Sequence, residues 1–574
     1  MKISFSVTSL VLSIFVGLAS FPSLTHARVE TDKTKLNSIQ SEYDGAIFTP
    51  NAPPSVSVQA APVDPLPGGG GGGDGGVSGI DLMHENINAK LTIQTTPTEH
   101  TTDLLGEQVD TDTGALTFTQ ADVSLPGNFA LPVAFQRSFK GALFSFYNTL
   151  DVGDWMIDIP HIHTTLLRNG TRYSGSWGQG LECSGPLNPG EILFYGSTYA
   201  NYEYWNGDTL NVPGRTSEKL MENAGYLTGA VVYKKVTKSG WRIRCESNPN
   251  SSGEQFIAQA PNGDTYTFSR LRLIKVKPIE KDFKAIARYQ ADMMATRVED
   301  VHGNVVRYHY DNQGRIIRIS ASDGRELIIS YQDNRVASVS AGARTWTYHY
   351  TGNSLTRVTR PDNRYWSYNL SEMGLRQAET LRSSYDNLGK IVLPTCRDNV
   401  GTKPFTVSIK HPDGLTGEFT LKQRRISKAN TLTLLSWTST PNPECRTGYA
   451  LGSKRITGPG LSTALEWHYW YDDPEGYFDN VTPGTDARLE GTVPNGVNRY
   501  TTRKTRVKSP GGSITEYFYN RDASSYLQGS LIAKRQLAAN GIDILKTSLL
   551  SYRPSERIGL AEMLFTHLDS YEKR

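Results

Sequence analysis

The stretch "YHYDNQGRIIRI", residues 308–319, sets two tyrosines two apart, then a four-residue break from Asp311 to Gly314, then Arg315 and a set of isoleucines. Side chains alternate across a strand, so Val306, Tyr308 and Tyr310 project to one side and Arg307 and His309 to the other. Asp311 can accept a hydrogen bond from the backbone ahead of it, and Gly314 takes the positive φ that a tight turn demands. Arg315 to Ile319 then reads as the returning strand, and "SDGR" (322–325) turns again through Asp323 and Gly324.

The unit recurs. Aligned on the tyrosine that ends each strand, copies fall at Tyr310, Tyr331, Tyr350 and Tyr368, separated by 21, 19 and 18 residues, and a repeat of about 20 residues sets the architecture. Tyr348 and Tyr350 in "RTWTYHY" reproduce the spacing of Tyr308 and Tyr310. Later turns shorten to "QDN" and "TGN", where Asn334 and Asn353 stand in the place of Gly, as Asn enters the left-handed region more readily than most residues. The acid varies from Asp311 to Gln332 to Thr351, drift that fits a structural repeat and not a repeated catalytic loop. The fold expected is all-β, a strip or partial shell of antiparallel hairpins preceded by a β-rich N-terminal region.

The pattern Y-x-Y-D-x-x-G-R, preceded by Asp300, Gly303 and Asn304, resembles the YD repeat of bacterial Rhs proteins, shared with teneurins and the shell subunits of Tc toxins. "DTDTGALTFTQADVSLPGN", "LPVAFQRSF", "GDWMIDIP" and "APNGDTYTF" are similar to the segment that precedes the repeats there, so the resemblance covers about residues 108–370. Beyond it, "SSYDNLGK" (383–390), "HPDG" (411–414) and "TEYFYNRD" (515–522) are faint echoes. The resemblance implies a non-enzymatic scaffold of a polymorphic-toxin or contact-dependent system, with a downstream Rhs core or toxin chain as partner. "YDDPEGYFDN" (471–480) matches the family's D-P-x-G core only superficially, and an ordinary Asp-Pro turn is expected there. The chain is expected to lack a toxin domain of its own.

The N-terminus carries Lys2, an apolar run from about Leu10 to Phe21 and small residues before Ala27, a secretory signal with cleavage expected after Ala27. No later stretch approaches the ~20 apolar residues of a membrane span, so a periplasmic, cell-surface or secreted product is expected. Residues 28–79 end in Pro-rich text and six consecutive glycines, Gly68 to Gly73, and read as a flexible linker spanning on the order of 40 Å. Residues 80–295 form the N-terminal β region, 296–370 the repeats and 371–574 a degenerate β-repeat region; within the first, "EKDFKAIARYQADMMA" (280–295) has helical spacing through Phe283, Ile286 and Tyr289. After export, Cys183, Cys245, Cys396 and Cys445 suggest two disulfides; three pairings are open, and pairing of neighbours is preferred.

A net charge of +3 over 574 residues gives no electrostatic reason to expect nucleic acid, and the basic runs 422–428 and 233–238 read as solvated strand faces. "HIH" puts His161 and His163 on one strand face, a spacing that can hold zinc, but no third ligand can be named and the neighbouring Ile and Thr suggest an outward polar face. "DTDTG" (110–114) reads as a turn, because a calcium loop needs an acid where Ala121 stands. There is no G-x-S-x-G or Walker motif, and clustered acids in "DDPE" (472–475) have no readable separation. No catalytic residue, metal ligand or cofactor is therefore assigned. Trp346 and Trp470 are candidates for stacking on cell-surface glycans, which would make the chain an adhesion module; a glycan-active hydrolase within 371–574 is a further alternative.

Overall fold

The computed structural model describes residues 103–573, apart from 141–150, 170–171, 178–179, 188, 195, 200–203, 206, 224–231, 282–283, 375–383, 386–390, 393–402, 432–444, 480–481, 526 and 555–567. The signal, the linker and Cys396 lie outside the described residues, as does most of "SSYDNLGK".

The chain is all-β, and its ladders are antiparallel. Thr265–Lys281 pairs with Lys284–Glu299, and the ladder continues through Val305–Tyr310, Ile316–Ala321, Glu326–Gln332, Arg335–Ala341, Arg344–Thr351, Ser354–Thr359 and Tyr365–Asn369. Tyr365–Asn369 pairs with Phe405–Lys410, and the same sheet runs on through Thr416–Ser427, Cys445–Thr457, Leu465–Asp472, Thr502–Lys508, Ile514–Asn520, Leu531–Leu537, Ile544–Pro554 and Leu568–Lys573. The strip thus crosses position 370 without a break.

The sheet branches at Lys284–Glu299, whose free edge pairs with His161–Asn169, which in turn pairs with Thr209–Val212. This corrects the helical reading of 280–295. Edges satisfied on both sides leave no backbone groups for a helix, and all five residues from Ala291 to Ala295 are buried, as both faces of the strand are covered.

A register shift recurs at the same place in successive hairpins. His309 faces Arg318 and Tyr310 faces Ile316, so Ile317 is an extra residue. The same two-against-one count leaves Ala337, Thr356, Gly452, Ile532 and Leu545 extra in later units. Bulges increase the local twist of a sheet.

One face of the strip is covered by the chain's own N-terminal segment. Glu107–Val109, Leu116–Leu125, Val133–Phe139 and Met156–Ile157 form a separate four-stranded sheet. Its Phe118 meets Phe419 edge-on with centroids 5.1 Å apart, Phe135 meets Tyr348 at 5.8 Å, and Trp155 meets Tyr368 at 5.2 Å. These rings belong to one buried cluster that extends from Leu105 to Tyr469.

Candidate functional site

The repeat residues act on one another. Asp300 accepts from the backbone N–H groups of His302 and Asn304 (both 2.9 Å) and from Asn304 Nδ2 (2.8 Å), while Gly303 sits at φ +83°. Asp311 accepts from the N–H groups of Gln313 and Arg315 (both 2.9 Å) and from Arg315 Nε (2.7 Å). Partial burial works against its charge, but these bonds prevail and hold its carboxyl below the usual range. Asp323 and Gly324 repeat the arrangement with Arg325. In the shortened turns the left-handed residues are Asp333 with Asn334, and then Gly352 alone; Asn353, expected in that role, does not take a positive φ, the pattern of a two-residue loop with glycine at its first central position.

Three of the four repeat-ending tyrosines reach back one unit, while Tyr368 instead accepts from Arg137. Tyr310 Oη donates to the carbonyl of Ala295 (2.6 Å), Tyr331 to Ile316 (2.8 Å) and Tyr350 to Val336 (2.8 Å). Beyond residue 370, Tyr471 donates to Leu451 (2.7 Å) and Tyr552 to Leu531 (2.6 Å), so the stitch persists where the sequence echo fades. The acceptor is the residue flanking the bulge of the preceding unit. The arginine after the turn completes the unit: the Arg315 guanidinium lies 4.6 Å from the Tyr331 ring centroid and Arg335 4.8 Å from that of Tyr350. This role was missed in the sequence, although the Arg315–Tyr331 and Arg335–Tyr350 separations of 16 and 15 carry it.

The covering segment is pinned to the strip by charge. Arg137 Nε and Nη2 fork onto Asp122 at 2.7 and 3.0 Å, with side chains 0% and 1% exposed. Asp122 is itself a bulge residue, and it also accepts from Tyr348 Oη at 2.8 Å; Arg137 further donates to Tyr368 Oη. Burial opposes the Arg137 charge, but Asp122 and Tyr368 together raise its pKa; burial raises that of Tyr348, keeping its hydroxyl a donor. The other end is fixed at "DTDTG", which is the expected turn: Asp110 Oδ1 accepts from Asp112 N (2.8 Å), and Gly114 has φ +76°. A Cβ on Gly114 would lie 2.4 Å from that of Ala450, so only glycine lets this tip dock. There Arg503 pairs with Asp112, Thr111 meets Tyr519, and Lys454 reaches Glu107 at 3.1 Å.

The other expected sites fare unevenly. Trp346 is 8% exposed and packs in the core, facing inward with Tyr348 on the same side of its strand, so it cannot stack on a glycan. Trp470 is 46% exposed and borders an open groove of about 470 Å³ with Lys504, Arg506 and Lys508. The basic runs are not fully solvated: Arg424 forks onto half-buried Asp473 (2.8 Å from Nη2), and Lys235 lies 3.7 Å from buried Asp208, because these carboxylates draw them in. Asp473 and Pro474 form a docked segment more than a free turn, since Arg521 Nη1 donates to the Pro474 and Glu475 carbonyls, both at 2.9 Å. Cys183 is bonded to Cys245, as preferred; Cys396 and the Cys445 side chain lie outside what is described. His161 is buried, so the "HIH" face is not an outward one. Among the described residues, no helix is long and apolar enough to cross a membrane.

No family model matches the chain, and no curated protein matches it. Weak structural neighbours exist. A crystal structure of TcdB2-TccC3 without its hypervariable C-terminal region aligns with 62% of this chain and 21% of its own, at 11% identity and a TM-score of 0.16. The Photorhabdus luminescens Tc holotoxin pore aligns with 78% of this chain and 23% of its own, at 11% identity and 0.17. The N-terminal domain of effector protein SpvB from Salmonella typhimurium strain LT2 aligns with 59% of this chain and 99% of its own, at 9% identity and 0.16. The match spans about a quarter or less of the toxin chains, and at these scores the likeness carries no argument.

Proposed function

We propose that the chain is an exported, non-enzymatic YD-repeat scaffold, a structural part of a polymorphic-toxin or contact-dependent system that docks a separate core or toxin chain. The observation that carries this reading is where the repeat side chains go. Tyrosines and arginines join successive units, and the face they line is covered by residues within 105–139 and 152–157. Side chains committed to cross-links are unsuited to substrate chemistry, which needs groups free to exchange partners. The experiment is co-expression of the full chain with the product of the neighbouring reading frame, followed by gel filtration and assay on a panel of cell-wall and surface glycans. A stable complex without glycan cleavage supports the scaffold; cleavage by the purified chain refutes it.

A second reading is favoured by the exposed Trp470. An indole beside Lys504, Arg506 and Lys508 offers a stacking platform with cationic donors, which suits an acidic glycan. A glycan array in which binding disappears for Trp470→Ala supports an adhesion role, and an array without hits refutes it.

A further inference from the structure

The histidines of "HIH" find in the fold the third side chain that the sequence could not supply. His161 and His163 lie two apart on the strand His161–Asn169, and Asp292 of Lys284–Glu299 is the cross-strand partner of His163. Ligand-capable atoms of the three side chains all lie within 4.8 Å of one another. The second neighbouring strand, Thr209–Val212, holds this face from the other side by pairing Thr209 with His163 and Asn211 with His161.

The protonation of these groups is written in their contacts. His161 Nδ1 stands 2.7 Å from the carbonyl oxygen of Ile159, which can only accept, so Nδ1 carries a hydrogen and Nε2 is the ring atom left to ligate. His163 Nδ1 is buried with no hydrogen-bond partner. Asp292 is 2% exposed, and among the described residues no lysine or arginine pairs with it; its nearest cationic neighbour across the ladder, Arg272, is engaged by Asp151 at 2.6 Å. Gln290 Nε2 donates to Asp292 Oδ1 at 2.7 Å and so fixes the carboxylate plane.

A buried carboxylate whose cationic neighbour Arg272 is bonded to another acid, and a buried imidazole nitrogen without a partner, are each costly. Together, with a second imidazole aligned by a backbone carbonyl and the carboxylate aligned by an amide, they form the pattern of metal ligands oriented by outer-sphere hydrogen bonds. We propose that His161, His163 and Asp292 bind one divalent transition ion of the zinc class. Two imidazoles and one carboxylate suit such an ion and leave one coordination position for water. Zn–N and Zn–O bonds of ~2.0–2.2 Å require the donors to close by small side-chain rotations. The ion would join the strand that leads out of the covering segment to the strand that opens the repeats.

The test uses the full chain, free of any histidine tag and stripped with a chelator, titrated with ZnCl2 by calorimetry and with CoCl2 by visible absorption. The expected result is one equivalent bound per chain, with the d–d bands of a tetrahedral cobalt site. His163→Ala and Asp292→Asn each weaken binding more than about tenfold, and Gln290→Ala weakens it about tenfold. His349→Ala, remote on the repeats, leaves it unchanged. Circular dichroism of each variant separates lost ligation from lost folding; the near-isosteric Asp292→Asn and the wild-type cobalt spectrum keep the test decisive if His163→Ala does not fold. Absence of saturable binding by the wild type, or binding unmoved by both ligand substitutions, overturns the proposal.

Discussion

Replacing Arg137 with methionine removes the guanidinium that ties the covering segment to the repeats while keeping most of the side-chain volume. The substitution deletes two bonds to Asp122, one to Tyr368, and a cation stacked 4.2 Å from the Trp155 ring and 4.7 Å from that of Tyr368. An exposed ion pair would contribute about 0–1 kcal/mol. Here both partners are excluded from water, so the substitution strands the Asp122 carboxylate, retaining one donor in Tyr348, and breaking such a pair costs about 3–5 kcal/mol. Removing both charges, as in Asp122→Asn with Arg137→Met, takes away the stranded ion as well, and a pair replaced whole is often near neutral. The double variant should therefore be more stable than Arg137→Met alone by about 2 kcal/mol or more. Urea unfolding followed by tryptophan emission suits the measurement, because Trp155 lies against the altered group. A loss below about 1 kcal/mol for Arg137→Met, or strictly additive effects in the double variant, refutes the reasoning.

The back-reaching hydroxyls predict that Tyr331→Phe costs about 1 kcal/mol, since the Ile316 carbonyl loses its donor while the ring packing stays; unchanged urea midpoints for both Tyr331→Phe and Tyr350→Phe would contradict it. The two tryptophans should separate: Trp346→Ala loses about 3–5 kcal/mol, whereas Trp470→Ala stays within about 0.5 kcal/mol, and equal losses would show that the faces are misassigned. Glu516 is buried, which pushes its pKa up, but bonds from Arg506 and Arg535 outweigh burial and leave it below the usual value. A depressed folded pKa contributes stability that is present above the unfolded value, roughly 4.3, and lost as pH falls through the folded one. Urea midpoints should therefore drop on acidification below about pH 4.5, less steeply for Glu516→Gln; superimposable profiles would contradict this.

The turn chemistry was legible because it is local: Asp311, Gly314 and Asp323 do their work within four residues. The continuation past residue 370 was not, because long strands such as Thr416–Ser427 and Cys445–Thr457 push Tyr471 far from Tyr350 and erase the 20-residue period. Contacts between the covering segment and the strip were invisible for a different reason. Thr111 meets Tyr519 across 408 positions, and no spacing rule reaches that far. Trp346 and Trp470 sit in similar aromatic alternations, and only the face buried by pairing and packing distinguishes them. The helical spacing at 280–295 was overridden by two neighbouring strands, a tertiary effect that single-strand periodicity does not contain.

The central claim is that residues 105–139 and 152–157 form part of the core of the strip. Amide hydrogen exchange of the full chain, read by mass spectrometry over Leu116–Leu125 and Val133–Phe139, tests it most directly. The account predicts protection comparable to that of Glu326–Gln332 and Arg344–Thr351 in the repeats, because both layers share one buried cluster. Exchange of the N-terminal strands at rates near those of an unstructured chain, with the repeats still protected, would contradict it.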